Sequence, residues 1–197
     1  MAAKSEPPTS ASMATDICNQ ISSVFSTTDP SHPPALDVLV SEITKTASQH
    51  GRIFVHGVGR EGLMLKALCM RLAHLGLPSH CVADVTAPPI TPTDLLLASA
   101  GPGGFPTVDA ICAVARSAGA RVVVITARPG GSASREATAV AYLAGRTMAE
   151  GEGGGLLPMG SLYEGAMFVL FEMVVWRLAK ELGQSEEEIR SRHTNLE

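Results

Sequence analysis

Short apolar runs bounded by glycine and proline alternate along this chain with longer stretches whose apolar residues fall three and four apart. Leu36, Leu39, Val40 and Ile43 recur at helical spacing after the breaker Asp29-Pro30-Ser31-His32-Pro33-Pro34, which predicts a helix there and another before it over 12–26. Runs rich in apolar and β-branched residues predict strands at 52–56, 79–83, 95–98, 122–126 and 139–143. Residues 63–75 and 108–118 have helical periodicity, and helices are expected in the remaining gaps. Such alternation predicts an α/β fold with a parallel sheet covered on both faces, whose ligands bind at the carboxyl ends of the strands. A last helix is predicted over 161–183. Between Gly165 and Trp176 it has a single charge, Glu172, so it needs burial on most faces, and a second subunit is the expected cover for one of them.

Composition narrows the function classes. With 197 residues, 45% of them apolar and 17% charged, the chain suits one compact domain, expected over 15–197 behind a tail at 1–14. A net charge of -4 without any basic run argues against nucleic acid as a partner. The longest apolar run, Ala166 to Val175, is broken by Glu172 and falls short of the roughly 20 residues that span a bilayer. Cys18, Cys69, Cys81 and Cys112 form no CxxC pair and fit a reducing compartment, so a soluble cytoplasmic protein is expected. His56, His74 and His80 lack a third ligand at metal spacing, so no metal is expected. Gly151-Glu152-Gly153-Gly154-Gly155 predicts a flexible loop.

Two glycine turns carry the candidate chemistry. Gly57-Val58-Gly59-Arg60-Glu61-Gly62 follows a predicted strand and opens a helix, and Asp84 lies near the end of the next strand, which outlines a dinucleotide fingerprint. A purely structural turn explains the same glycines. The second turn, Ser99-Ala100-Gly101-Pro102-Gly103-Gly104-Phe105-Pro106-Thr107, leads from strand to helix, where free amides and the helix dipole favour an anion. Pro102 and Pro106 each remove one of those donors. Ser161-Leu162-Tyr163-Glu164 has the spacing of a capping box, and that reading competes with Glu164 as a general base in a pocket. His193 lies beyond the last predicted helix, in what reads as a solvated tail.

Taken together, these segments resemble the SIS (sugar isomerase) domain family, most closely its 6-phospho-3-hexuloisomerase branch. The likeness rests on Ile53-Phe54-Val55-His56-Gly57-Val58-Gly59-Arg60, on Met70-Arg71-Leu72-Ala73-His74-Leu75-Gly76, on Thr86-Ala87-Pro88-Pro89-Ile90 and on the ending Arg192-His193-Thr194-Asn195-Leu196-Glu197. It implies a five-stranded parallel sheet flanked by helices, usually a homotetramer, with no metal or organic cofactor. It implies a phosphorylated sugar as ligand, and the exchange of 3-hexulose 6-phosphate with fructose 6-phosphate through an enediol. Glu164 matches a proposed catalytic base. His193 matches a histidine that can reach a neighbouring subunit's site. Gly57, Gly59, Arg60, Ser99, Gly101, Gly103, Gly104 and Thr107 are the expected substrate-binding positions.

Two departures qualify the activity. The family's phosphate turn reads approximately Ser-Gly-Ser-Gly-Glu-Thr, and the matching run here, Ala100 to Phe105, has no hydroxyl. Each charge-assisted hydrogen bond lost in this way removes roughly 1.5–3 kcal/mol of phosphate binding. Glu61 stands where the family has serine, and a carboxylate there repels a phosphate unless it turns away. Three readings follow: a hexulose-phosphate isomerase, a binding or sensing protein that retains the fold without the chemistry, and, last, a dinucleotide-binding oxidoreductase.

Overall fold

A computed structural model describes residues 8–27, 29–151 and 156–196. Helices α1 (Ser10–Ser26) and α2 (Ala35–Ser48) precede β1 (Ile53–His56), α3 (Gly59–His74), β2 (Ser79–Cys81) and β3 (Leu95–Ser99). Then come α4 (Pro106–Ser117), β4 (Arg121–Thr126), a 3-10 turn (Ala133–Glu136), β5 (Ala139–Tyr142), α5 (Ser161–Glu181) and α6 (Glu186–Ser191). The five strands pair in parallel in the order β2-β1-β3-β4-β5. All five lie where the apolar runs predict them.

Because successive strand side chains point to opposite faces, each strand feeds two cores. Ile53, Val55, Leu95, Leu97, Val123 and Ile125 pack under the helices α1, α2, α3 and α5. Phe54, Leu96, Ala98, Val122 and Val124 pack against α4 and Ala133 of the 3-10 turn. Both faces are covered, as a parallel sheet requires.

Several expectations fail locally. No α-helix fills 82–94, where Pro88, Pro89 and Pro92 remove donors and clash with helical backbone; the segment is a succession of turns. Only the short 3-10 turn joins β4 to β5. α1 begins at Ser10, where the Thr9 hydroxyl accepts the Ser12 amide at 3.1 Å, so the helix takes in residues expected in the tail. α6, between the predicted last helix and the tail that begins at Arg192, is not predicted; it starts on a capping box between Ser185 and Glu188. Most of the glycine run at 151–155 falls outside the described residues. No helix among the described residues is long and apolar enough to cross a membrane.

The order 2-1-3-4-5 reverses direction between β1 and β3. Sheets of this order bind their ligands outside the carboxyl ends of the strands at that reversal. The turns that follow β1 and β3 there are the two glycine turns of the sequence.

Candidate active site

The first turn is built by close packing. A Cβ on Gly62 would stand 2.5 Å from the Gly57 carbonyl oxygen, so only glycine lets α3 start this near β1. Gly59 gives α3 its first residue, and Arg60 follows on an exposed side of it. Arg60 reaches the start of α5: Nη1 donates to Ser161 Oγ at 2.8 Å, Nη2 donates to the Met159 carbonyl, and Nη2 lies 3.0 Å from Glu164 Oε2. Arg60 is therefore committed to the protein before any ligand arrives.

The capping-box reading of Ser161 and Glu164 does not hold. Gly160, in the left-handed region at φ 83°, is the N-cap of α5, and no side chain caps it. Ser161 is the first residue inside the helix and Glu164 is turned toward Arg60. Glu164 Oε2 is buried and accepts no hydrogen bond of good geometry from the described residues, although Arg60 is beside it. Burial pushes the Glu164 carboxyl above its ordinary range, Arg60 pulls it back and the charge of Glu61 adds to the rise. A half-sheltered carboxylate with a raised pKa, held by one ion pair, is a fit general base.

The second turn is held from both sides. Ser99 is fully buried, and its hydroxyl donates to Glu61 Oε2 at 2.5 Å, while the Gly101 amide donates to the same oxygen at 2.9 Å. The two expected ligand contacts, Ser99 and Gly101, thus serve Glu61. The carboxylate that sequence alone sets against a phosphate points into the core beneath the turn. Burial pushes its carboxyl up, and the Ser99 and Gly101 bonds pull it partly back. Tyr163, also buried, closes the other side: its ring carbons would lie 2.8 and 3.0 Å from a Cβ on Gly101.

Gly103 needs its freedom, because φ is 102° and the Gly131 Cα comes within 3.1 Å of where its Cβ would be. The segment after β4 folds onto the turn here. The Ala133 amide donates to the Gly103 carbonyl at 3.1 Å, and the Ser132 hydroxyl fills the space that a side chain on Gly104 would take. Thr107 is exposed in the first turn of α4, whose N-cap Phe105 supplies no side-chain bond. Among the described residues, the amides of Gly104, Thr107 and Val108 meet no acceptor. Free amides at a helix start are the kind of donor an anion accepts, although Val108 is itself fully buried.

His193 is elsewhere. It stacks on His74, ring centroids 5.3 Å apart, at the edge of a groove of about 790 Å³ between α3, α5 and α6. Within one chain the fold does not bring it to Glu164. Asp84 is exposed and closes a turn by accepting the Thr86 amide and hydroxyl at 3.0 and 2.8 Å, a local role that accounts for it without a ribose. Arg128 pairs with Glu150 at 3.3 Å. His80 stacks on Phe54. Sequence reasoning missed the supporting roles of Tyr163, Glu61 and Ser132. An acidic residue in the first turn of a helix is so common as a dipole partner that nothing marked Glu61 as buried.

The sheet order and the paired turns define a SIS-type phosphosugar fold, and solved structures share it. One is a Methanococcus jannaschii protein whose crystal structure infers a function of 3-hexulose-6-phosphate isomerase: TM-score 0.76, 29% identity, covering 93% of this chain and 98% of that one. The 3-hexulose-6-phosphate isomerase of Mycobacterium gastri is 36% identical over 187 residues, 92% of each chain. That of Bacillus subtilis is 31% identical over 148 residues, 74% of this chain and 80% of its own. The chain belongs to the 3-hexulose-6-phosphate isomerase family. No family model matches it. The relatives lend no support to the binding-only alternative.

Proposed function

We propose that the protein is a sugar-phosphate isomerase that interconverts 3-hexulose 6-phosphate and fructose 6-phosphate. The observation that carries this reading is Glu164, a sheltered carboxylate at the start of α5 that is held only by an ion pair with Arg60 at 3.0 Å and has a raised pKa. Deprotonated, it takes the proton from C2 of the 3-ketose, beside the C3 carbonyl. The electrons of that C–H bond form the C2–C3 double bond as the C3 carbonyl π pair moves onto O3, which takes up a proton and completes the enediol. Glu164 returns its proton to C3 as O2 gives up a proton, which replaces the one O3 took, and the C2 carbonyl of the 2-ketose forms. Atoms and electrons balance without a redox partner, so the reaction calls for no organic cofactor. Arg60 holds the carboxylate in place and keeps its pKa from rising too far to act.

The phosphate takes the amides of Gly104 and Thr107 at the start of α4, in place of the absent hydroxyls. His193 serves a neighbouring subunit. Its place at the α3–α5–α6 groove and the exposed Leu63, Met70, Phe168 and Trp176 on the outer sides of α3 and α5 support a homo-oligomer. Cytoplasmic location accords with this substrate class and with the free cysteines.

The test is interconversion of the two ketose phosphates by purified protein. Turnover that disappears in Glu164→Gln while fructose 6-phosphate still binds supports the reading. A folded protein inactive on both ketoses sinks it.

A further inference from the structure

Glu61 has no part in the proton transfer, yet it is only 5% exposed and lies directly beneath the phosphate turn. Both of its hydrogen bonds converge on one oxygen, Oε2, from the last residue of β3 and from the first glycine of the turn. Its other oxygen faces Gly101 as well, 3.0 Å from where a Cβ would stand. No cation among the described residues neutralises it, because the neighbouring Arg60 is spent on Glu164, Ser161 and Met159. Burying an unpaired carboxylate is costly, and an apolar side chain would fill the same space without that cost. What the carboxylate supplies is an acceptor able to hold a hydroxyl and an amide together at a fixed point.

Above that point the turn is held by backbone bonds: the Gly103 amide donates to the Ala100 carbonyl at 2.8 Å, and the Gly101 and Gly103 carbonyls accept from the Ala127 and Ala133 amides. It contains no hydroxyl between Ala100 and Phe105, and Pro102 has no amide to give. We propose that Glu61 is the positioning residue of the phosphate turn: it clamps Ser99 and Gly101 from the core side so that the amides beyond them face a phosphomonoester. The inference rests on the reading that a sugar phosphate binds over residues 100–108. A second consequence concerns the base. Arg60, Glu61 and Tyr163 are the ionisable groups that bear on Glu164; Tyr163 is buried and neutral, so the acidic neighbour to be removed is Glu61.

Three variants test this: Glu61→Ala, Glu61→Gln and Ser99→Ala. Binding of inorganic phosphate and of fructose 6-phosphate is followed by calorimetry, the amides of 99–108 by hydrogen exchange, and turnover across pH. Glu61→Ala is expected to weaken both ligands about 10- to 100-fold and to speed exchange at Gly101. Ser99→Ala, which leaves one of the two bonds, falls between it and the parent.

Glu61→Gln is the decisive variant, because its amide oxygen can accept the same two bonds. It is expected to restore binding to within about threefold and to move the acid limb of the rate profile to lower pH, since Glu164 loses a negative neighbour. Phosphate binding that is unchanged or tighter in Glu61→Ala overturns the proposal and makes Glu61 an electrostatic obstacle. Failure of a folded Glu61→Gln to rescue overturns it too. If the parent protein neither binds nor converts sugar phosphates, the functional reading falls separately. Exchange at Gly101 still decides the clamp, and unchanged protection in Glu61→Ala refutes it.

Discussion

Two carboxylates are buried at opposite ends of β3, and their surroundings could hardly differ more. Asp94, just before the strand, is 1% exposed and accepts from the Arg52 amide, Nε and Nη2 at 2.7, 3.2 and 2.8 Å. It also accepts from the Thr91 amide and hydroxyl at 2.7 and 2.8 Å. Burial alone would push its carboxyl up, but these bonds outweigh it and hold the group below the ordinary carboxylate range. Glu61, against the far end of the strand, has two donors and no cation, and its carboxyl is held above that range. At the amino end Asp94 is fully engaged and serves stability. The carboxyl end has the less satisfied carboxylate, beside the turns where we place the ligand.

The comparison yields a graded set of expected outcomes. Largest is Glu164→Gln at the carboxyl end, expected to lower turnover by about 10²–10⁴-fold with little change in denaturant midpoint. Asp94→Ala at the amino end should do the reverse. Leaving Arg52 and Thr91 without their acceptor costs about 3 kcal/mol in urea unfolding, with turnover retained at temperatures where the protein is folded. A loss of activity in Asp94→Ala larger than its loss of folded protein would break the division between the two ends. Gly103→Ala comes next, because φ of 102° and the contact with Gly131 forbid a side chain. It should cost about 1–3 kcal/mol and raise the KM for the sugar phosphate more than it lowers kcat.

The smallest effect is a pH dependence. The folded-state pKa of Glu61 is raised, so its contribution to stability is complete below the unfolded value and is lost as pH rises through the folded value. Glu61→Gln should therefore melt slightly higher than the parent near neutral pH, with the difference fading below about pH 4. Asp94 has the opposite sign. Its contribution is present above the unfolded value and is lost as pH falls, so Asp94→Asn should narrow its deficit in acid.

Local chemistry explains which parts of the fold could be read from the chain. The central strands announce themselves because a two-sided parallel strand must be apolar throughout, as Leu95-Leu96-Leu97-Ala98 and Val122-Val123-Val124-Ile125 are, whereas the edge strand Ser79-His80-Cys81 is not. The two turns were legible too, since glycines follow β1 and β3 where the backbone approaches α3 and Gly131. α6 was not, because Glu186 to Ser191 has one apolar residue, Ile189, and its helix depends on the Ser185 cap. At Glu164 the sequence misled: Ser161 and Glu164 have capping-box spacing, yet Gly160 took the cap position and freed both side chains for Arg60.

The sequence by itself determined the class of fold, the two turns that bound the site and the residue types available there. Only the tertiary structure decided what each charge does. Glu61 meets its partners 38 and 40 residues away, and Arg60 meets Ser161 across 101. Periodicity, which reports only on neighbours within a turn or two, carries no information about such pairs. A carboxylate that repels a phosphate from the surface can brace its binding turn from beneath, and the difference between those outcomes is the direction of a single side chain, fixed by packing of α3 and α5 against the sheet.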